Sequence, residues 1–283
     1  MRYHVDGDLV PAAEATVSVR DRGFAYGDAA FETLRAYGGE AFAWDAHEER
    51  LRGTCDALGM ADAVPDDCRE RVRETLRAND LAEAYVRLSV TRGVQPGKLT
   101  PDPEVDPTVV VVVKPLPRGG VGGDPVWDGP ATAEVVDVQR VPDAALPARA
   151  KTHNYLNGVL ARLDAPGADE ALLLDADGRL AEGAASNLFF VRGGVLHTPS
   201  LEGPVLPGVT RGVVLDLADE VGVPAATGRY RPDDLRDADE AFLTNTTWEV
   251  RPLARVGGRD LGGGPTTERL AAAFDRRVER AHY

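Results

Sequence analysis

Lys151-Thr-His-Asn-Tyr155-Leu156-Asn-Gly-Val159-Leu160-Ala-Arg-Leu163 is the stretch that decides how this chain folds and what it can bind. Its leucine and valine residues recur three and four positions apart, which is the spacing of one face of an α-helix. The pattern predicts a helix that starts at Lys151 and buries this apolar face. The Lys151 amine is then expected at the start of the helix.

Lysine is scarce in this sequence, and the scarcity draws attention to Lys151. Lys98, Lys114 and Lys151 are the only lysines among 32 basic residues, and the rest are arginines. An arginine guanidinium stays protonated and cannot serve as the nucleophilic amine that a carbonyl cofactor requires. Lys151 is therefore the candidate for a covalent bond to such a cofactor.

Charge and composition limit the classes of partner. The 283 residues carry a formal net charge of -14, and 43% of them are hydrophobic. The negative field repels polyanions, so we expect no nucleic-acid or membrane partner. The excess of acidic residues fits a halophilic protein, because salt screens self-repulsion. A GC-rich genome produces much of the same bias.

The cysteines and histidines are too few and too scattered for a metal or disulfide framework. Cys55 and Cys68 stand thirteen residues apart, which favours a reducing cytoplasmic location. The five histidines never fall at ligand spacing, so we expect no metal. No stretch reads as a signal peptide or a membrane span.

The order of predicted elements favours an α+β fold with two domains. Residues 1–115 predict a small N-terminal α/β domain, with a hairpin turn at Gly38-Gly39 and a central buried strand at 109–113. Residues 116–130 are rich in proline and glycine and predict a linker. Its Gly-Gly-Val-Gly-Gly run at 119–123 lacks the residues of a phosphate loop, so we interpret it as a hinge. Residues 131–283 predict a larger C-terminal domain.

A carboxylate suited to a pyridine ring ends one predicted strand. Glu182 comes just before Gly183-Ala-Ala-Ser-Asn187, where small side chains let a ligand approach the backbone closely. A carboxylate in this position can keep a pyridine nitrogen protonated, which makes the ring an electron sink. The alternative is a solvated glutamate at the rim of the sheet.

Several groups suit a phosphate. Leu206-Pro-Gly-Val-Thr210-Arg211 precedes a predicted helix, and the first N–H groups of a helix bind anions. The alternative is that Thr210 is an ordinary N-cap residue. Thr244-Asn-Thr-Thr247 adds hydroxyl and amide donors. Arg50 lies on one helical face with His47 and suits a two-bond grip on phosphate, although an isolated arginine is more often solvated. An amine, a carboxylate and these anion contacts are together what pyridoxal phosphate requires.

With these residues in place, the chain resembles the fold type IV pyridoxal-phosphate enzymes, the class IV aminotransferase family. That family includes branched-chain aminotransferases, D-amino-acid aminotransferases and aminodeoxychorismate lyases. The resemblance runs from about Asp21 to Arg280. It rests on six marks: Asp21-Arg-Gly-Phe-Ala-Tyr-Gly-Asp28, His47-x-x-Arg50-Leu51, Lys151, Glu182-Gly-x-x-x-Asn187-Leu, Leu206-Pro-Gly-Val-Thr-Arg211 and Thr246-Thr-x-Glu249-Val.

The resemblance implies a role for each matching residue. Lys151 is the lysine that holds the cofactor, Glu182 partners the ring nitrogen, and Thr33 and Tyr155 act with Lys151 in catalysis. It also implies a barrel-like sheet in the C-terminal domain, a homodimer and a small amino substrate. The other implied cofactor contacts are Arg50, Asn187, Val209, Thr210 and Thr246, and the implied substrate contacts are Tyr26, Arg87 and Thr247.

The subfamilies differ in a few residues, and in this sequence these residues do not all favour the same subfamily. Thr33 stands where aminodeoxychorismate lyases carry a threonine that protonates the departing pyruvate, whereas branched-chain aminotransferases usually carry glycine. Tyr85-Val-Arg87 instead resembles the branched-chain enzymes. Because of Thr33, we expect 4-amino-4-deoxychorismate lyase of folate biosynthesis, which releases 4-aminobenzoate and pyruvate. A branched-chain transaminase using 2-oxoglutarate is the alternative, before a D-amino-acid transaminase and a non-catalytic cofactor carrier.

Overall fold

The computed structural model describes residues 1–118 and 126–283. The chain divides into two compact units, and both are discontinuous in sequence. The predicted hinge at 119–123 lies outside the described residues. Unit 1 contains Met1–Arg118, Ala150–Asn154 and His282–Tyr283, and unit 2 contains Gly119–Arg149 and Tyr155–Ala281.

Unit 1 is built on an antiparallel sheet with helices packed on one face. Within the described residues the sheet has six strands in the order β2-β1-β6-β5-β3-β4. The strands are β1 (Arg2–Val5), β2 (Asp8–Pro11), β3 (Ala29–Tyr37), β4 (Glu40–Ala41), β5 (Ala84–Thr91) and β6 (Val109–Pro115), and the helices are α1 (Arg22–Tyr26), α2 (Trp44–Ala57) and α3 (Cys68–Arg77).

The two faces of this sheet differ because side chains alternate along each strand. Leu34, Leu88 and Val111 join the core that packs against α2 and α3. The neighbouring positions form the opposite face, where Phe31 lies opposite Ser89 and Thr33 opposite Arg87. The predicted hairpin and central strand are both present. The valine run of β6 alternates, however, since its even-numbered valines are only half-buried.

Unit 2 is built on a larger curled sheet that forms a half-barrel. Its nine strands within the described residues follow the order β12-β11-β10-β13-β14-β7-β8-β9, with β15 beside β14. The strands are β7 (Ala131–Val135), β8 (Glu170–Leu174), β9 (Leu180–Gly183), β10 (Asn187–Arg192), β11 (Val195–Pro199), β12 (Ala225–Gly228), β13 (Glu240–Asn245), β14 (Glu249–Val256) and β15 (Arg259–Asp260). The helices are α4 (Leu156–Asp164), α5 (Val209–Glu220), α6 (Pro232–Arg236) and α7 (Pro265–His282). Leu188, Leu243 and Leu253 fill part of its core.

The predicted fold class is confirmed as α+β, with a barrel-like sheet in the second unit. None of the helices in the described residues is long and apolar enough to cross a membrane.

The helix predicted to start at Lys151 begins instead at Leu156, with Tyr155 as its N-cap residue. Lys151 precedes it in extended chain, where Thr152 forms an antiparallel bridge with Ala30. The prediction was wrong because this pairing with β3 holds the backbone out of helical conformation.

The apolar face of α4 is also more exposed than the periodicity predicted. Leu156, Val159, Leu160 and Leu163 share one face, yet between 47% and 71% of each residue is exposed in this chain. Periodicity identifies residues that share a face, but it does not identify what covers them.

Candidate active site

The predicted site residues fall on both units. Five lie in unit 1: Tyr26, Thr33, Arg50, Arg87 and Lys151. Seven lie in unit 2: Tyr155, Glu182, Asn187, Val209, Thr210, Thr246 and Thr247.

The backbone of Lys151 is held from two sides. Its carbonyl accepts the N–H of Phe31 at 3.0 Å. Its own N–H donates to the hydroxyl of Thr54, on α2, also at 3.0 Å. The start of the Lys151 side chain is thereby fixed against β3 and α2.

Two cationic groups of unit 1 lie close to the ring of Phe31. Lys151 Nζ is 4.4 Å from the ring centroid, and Arg87 Cζ is 3.8 Å from it. Thr33 lies directly opposite Arg87 in the β3–β5 ladder. Burial and the nearby Arg87 lower the pKa of His153 to about 4, so this imidazole is neutral near pH 7. An amine, a guanidinium and a hydroxyl therefore share one sheet face.

Arg50 is fixed by a buried carboxylate on the other face of β3. Its Nε and Nη2 donate to the two oxygens of Glu32 at 2.8 and 2.6 Å, and His47 Nδ1 lies 2.7 Å from the same carboxylate. Burial raises the pKa of Glu32, but the bonds from Arg50 and His47 outweigh it and lower this pKa to about 2. Burial also lowers the pKa of His47. The solvated alternative for Arg50 is wrong, since only 10% of its side chain is exposed.

Glu182 is a buried, hydrogen-bonded carboxylate rather than a solvated rim residue. Only 7% of the residue is exposed. Arg140 Nε donates to Oε1 at 2.7 Å, and the N–H of Leu206 donates to Oε2 at 2.9 Å. Asn187 Nδ2 makes a long contact of 3.5 Å with Oε2. These donors hold the carboxylate in a fixed orientation.

A second buried carboxylate shapes the loop that follows Glu182. Glu170 accepts the hydroxyl of Ser186 at 2.7 Å and the N–H of Ala185 at 3.2 Å. Burial raises the pKa of Glu170 although these bonds oppose it. A Cβ at Gly183 would lie 2.8 Å from this carboxylate, so the close approach requires glycine. The small residues therefore serve the packing of the loop itself.

Helix α5 presents an N-terminus suited to an anion. Its N-cap is Gly208, which corrects the N-cap alternative for Thr210, and neither a side-chain cap nor an acidic residue occupies the described first turn. Val209 and Thr210 supply the first N–H groups. The neighbouring Arg211 is 5% exposed, and its Nε is buried without a hydrogen-bond partner in the described residues. Two positive contributions therefore coincide at this helix end.

The turn after β13 is hydrogen-bonded to the loop that follows Glu182. Asn245 Oδ1 accepts the N–H groups of Thr247 and Trp248 at 2.9 and 2.7 Å, which forms an Asx-turn. Its Nδ2 donates to the carbonyl of Ala185 at 3.2 Å. The half-buried Thr246 lies within this turn.

Two predicted contacts are less fully enclosed. Tyr26 ends helix α1 with 44% of its surface exposed and the guanidinium of Arg22 4.9 Å from its ring centroid. Tyr155 is half-buried at the N-cap of α4.

Fold and site residues together are those of a fold type IV pyridoxal-phosphate enzyme. The family described as Amino-transferase class IV matches residues 29–256, and the chain belongs to this family. The crystal structure of a Thermoproteus uzoniensis branched-chain aminotransferase with norvaline has a TM-score of 0.90 and 33% identity, with 98% of this chain and 94% of that chain covered.

Two curated relatives carry different activities in their names. A Methanocaldococcus jannaschii protein, provisionally named a branched-chain-amino-acid aminotransferase, is 38% identical over 280 residues, covering 97% of this chain and 95% of the relative. The aminodeoxychorismate lyase of Bacillus subtilis is 31% identical over 285 residues, covering 98% of this chain and 94% of the relative. Family membership alone therefore does not choose between transaminase and lyase.

The chain is an enzyme that uses pyridoxal phosphate, and its residues fit that cofactor. The end of α5, with its unpartnered Arg211 Nε, suits a phosphate dianion. The Glu182 carboxylate accepts hydrogen bonds and suits a protonated pyridine nitrogen. Lys151 carries a primary amine of the kind that binds an aldehyde.

Sequence reasoning missed the residues that hold the predicted ones. Glu32, Thr54, Arg140 and Glu170 each orient a predicted group or its loop. The His47-x-x-Arg50 motif was the available signal for the Glu32 cluster. Its two basic side chains share a helical face, so a carboxylate that accepts hydrogen bonds from both could have been expected.

Proposed function

We propose that this enzyme is an amino-acid transaminase acting on branched-chain and other aliphatic L-amino acids, with 2-oxoglutarate as the amino acceptor. The supporting observation is the sheet face beside Lys151, where Phe31 offers an aromatic surface and Arg87 a guanidinium. A guanidinium binds carboxylates, and an aromatic ring packs against an aliphatic side chain. The whole-chain similarity to the Thermoproteus enzyme supports the same substrate class.

The reaction exchanges an amino group for an oxo group in two halves. An L-amino acid becomes its 2-oxo acid, and 2-oxoglutarate becomes glutamate. The bound cofactor supplies a protonated ring that accepts electron density from the substrate Cα and stores the amino group between the halves.

The residues of this chain bind, orient and move protons. Arg87 would bind the substrate carboxylate, and the Lys151 amine would take up the proton from the substrate Cα and hold it for return. Glu182 keeps the proton on the ring nitrogen, with Arg140 and Leu206 holding the carboxylate in place. The first turn of α5 and Arg50 bind the phosphate.

A substrate panel tests the proposal. The purified enzyme is mixed separately with L-leucine, L-glutamate, D-alanine and 4-amino-4-deoxychorismate, and products are identified by mass spectrometry. We expect 4-methyl-2-oxopentanoate from L-leucine, with conversion of the cofactor to its amine form. Release of 4-aminobenzoate and pyruvate, with no oxo acid from L-leucine, would reject the transaminase.

The lyase is the second candidate, and Thr33 is the observation that favours it. Thr33 is half-buried on the sheet face that carries Phe31 and lies opposite Arg87, so its hydroxyl suits a proton donor to enolpyruvate. If the enzyme is a lyase, Thr33→Val lowers 4-aminobenzoate release at least tenfold, while Thr33→Ser retains most of it. Equal activity of both variants would remove this support. The homodimer, the cytoplasmic location and the adaptation to high salt stay predictions.

A further inference from the structure

The hydroxyl of Thr54 joins two residues of the proposed site. It donates to the carbonyl of Arg50 at 2.9 Å and accepts the N–H of Lys151 at 3.0 Å. Thr54 is 1% exposed, so water does not replace these bonds readily. One buried hydroxyl thus connects the backbone of the phosphate-binding arginine to that of the amine-bearing lysine.

The two hydrogen bonds of the neighbouring pairing with β3 do not involve the N–H of Lys151. The bridge between Thr152 and Ala30 uses the Lys151 carbonyl, which accepts from Phe31, and the N–H of His153, which donates to Ala29. The N–H of Lys151 donates instead to the Thr54 hydroxyl. A backbone donor in such a half-buried place requires an acceptor.

Donation to the carbonyl four residues earlier is common for a helical threonine, so it does not itself indicate a role. Thr75 on α3 makes the same bond to Arg71 at 2.6 Å and is 0% exposed. What distinguishes Thr54 is the second bond, to a residue 97 positions later in the chain.

We propose that Thr54 is a positioning residue that sets the Lys151 amine at a fixed distance from Arg50. This inference rests on the proposed function, because it assigns to Lys151 and Arg50 the aldehyde and the phosphate of one cofactor. The cofactor is rigid, so the distance between Lys151 and Arg50 must match the distance between its aldehyde and its phosphate. Thr54 fixes the backbone of Lys151 relative to that of Arg50 through α2, while Glu32 fixes the guanidinium of Arg50.

The lysine content of the chain makes a residue-specific test simple. Full-length protein labelled with ¹⁵N-lysine gives three backbone amide signals, from Lys98, Lys114 and Lys151. Hydrogen exchange is followed with and without cofactor in wild type, Thr54→Val and Thr54→Ser. In Thr54→Val we expect the Lys151 amide to exchange at least tenfold faster, while the Lys114 amide in β6 changes less than threefold. Thr54→Ser keeps the hydroxyl and is expected to stay within threefold of wild type.

Kinetics provide the second measurement, with Thr75→Val as the matched control. We expect kcat of Thr54→Val to fall about 10- to 100-fold with KM for the amino acid changed less than threefold, because a displaced amine slows proton transfer more than binding. Thr75→Val is expected to leave both the Lys151 exchange rate and kcat within threefold of wild type. Unchanged Lys151 exchange in Thr54→Val, or equal acceleration in Thr75→Val, would overturn the proposal. Wild-type enzyme that fails to transaminate L-leucine would reject the proposed function instead, and the exchange experiment would still report on the bond.

Discussion

The buried cluster of Glu32, Arg50 and His47 gives the sharpest prediction for stability. In Glu32→Gln an amide nitrogen replaces one carboxylate oxygen, so a new donor faces donors of Arg50 or His47, and the charge of Arg50 loses its partner. Glu32 is 1% exposed and accepts two bonds from Arg50 and one from His47. Removing one partner of a buried ion pair costs about 3–5 kcal/mol. For a chain of this size that lowers Tm by roughly 10 °C.

Urea unfolding at 25 °C and a thermal scan measure the effect, and cofactor titration measures the associated loss of phosphate affinity. Glu70→Gln is the control, because Glu70 pairs with Arg73 and Arg77 where 49% of its side chain is exposed. Exposed pairs contribute about 0–1 kcal/mol, so this variant should resemble wild type. Equal stability of Glu32→Gln and the control would refute the reasoning.

The pH dependence of the same variant is a second test of the cluster. The folded-state pKa of Glu32 is about 2, below the ordinary value of 4.5. The unfolded state therefore binds the proton first, and the stability that Glu32 contributes is complete above about pH 4.5 and lost as the pH falls toward 2. The gap between wild type and Glu32→Gln should narrow over this interval. A constant gap would mean that the pKa of Glu32 is the same in the folded and unfolded states.

Three further outcomes follow from the site. Lys151→Ala should abolish turnover and the absorbance band of covalently held cofactor, whereas Lys98→Ala should change neither; turnover in Lys151→Ala would reject its role. Glu182→Gln should lower kcat at least 100-fold while the cofactor still binds, because the amide cannot hold the ring nitrogen protonated; an unchanged kcat would contradict this role. The imidazole of His153 should titrate near pH 4 by NMR, so its contribution to stability is complete above about pH 6.5 and declines as the pH falls toward 4; titration near 6.5 would contradict its burial.

Much of the fold and several site residues could be predicted because their signals are local. The hairpin at Gly38-Gly39 and the valine strand are each predicted by consecutive residues, and the structure contains both. Arg50 and Glu182 were recognised from short motifs, and their burial in the structure agrees with a role beyond the solvated surface.

The residues that orient these groups could not be predicted because they are distant in sequence. Arg140 contacts Glu182 across 42 positions, and Thr54 contacts Lys151 across 97. Neither contact produces a periodic pattern in the sequence. The start of α4 was misplaced for the same reason, because pairing of Thr152 with Ala30 overrides a helical pattern that continues through the letters.

Unit 1 is assembled from three separated pieces of chain, and this has a consequence for its synthesis and dissection. Its last piece, His282–Tyr283, bonds to Gly38 across 245 positions, and its middle piece carries Lys151. A fragment ending at residue 118 would keep the pairing of β3 with β5 but would lose the bridge between Ala30 and Thr152. On the ribosome unit 1 therefore completes its native contacts only after Tyr283 has been made. Cleavage of the chain after residue 118 would place the Lys151 amine on a different fragment from the sheet that anchors it.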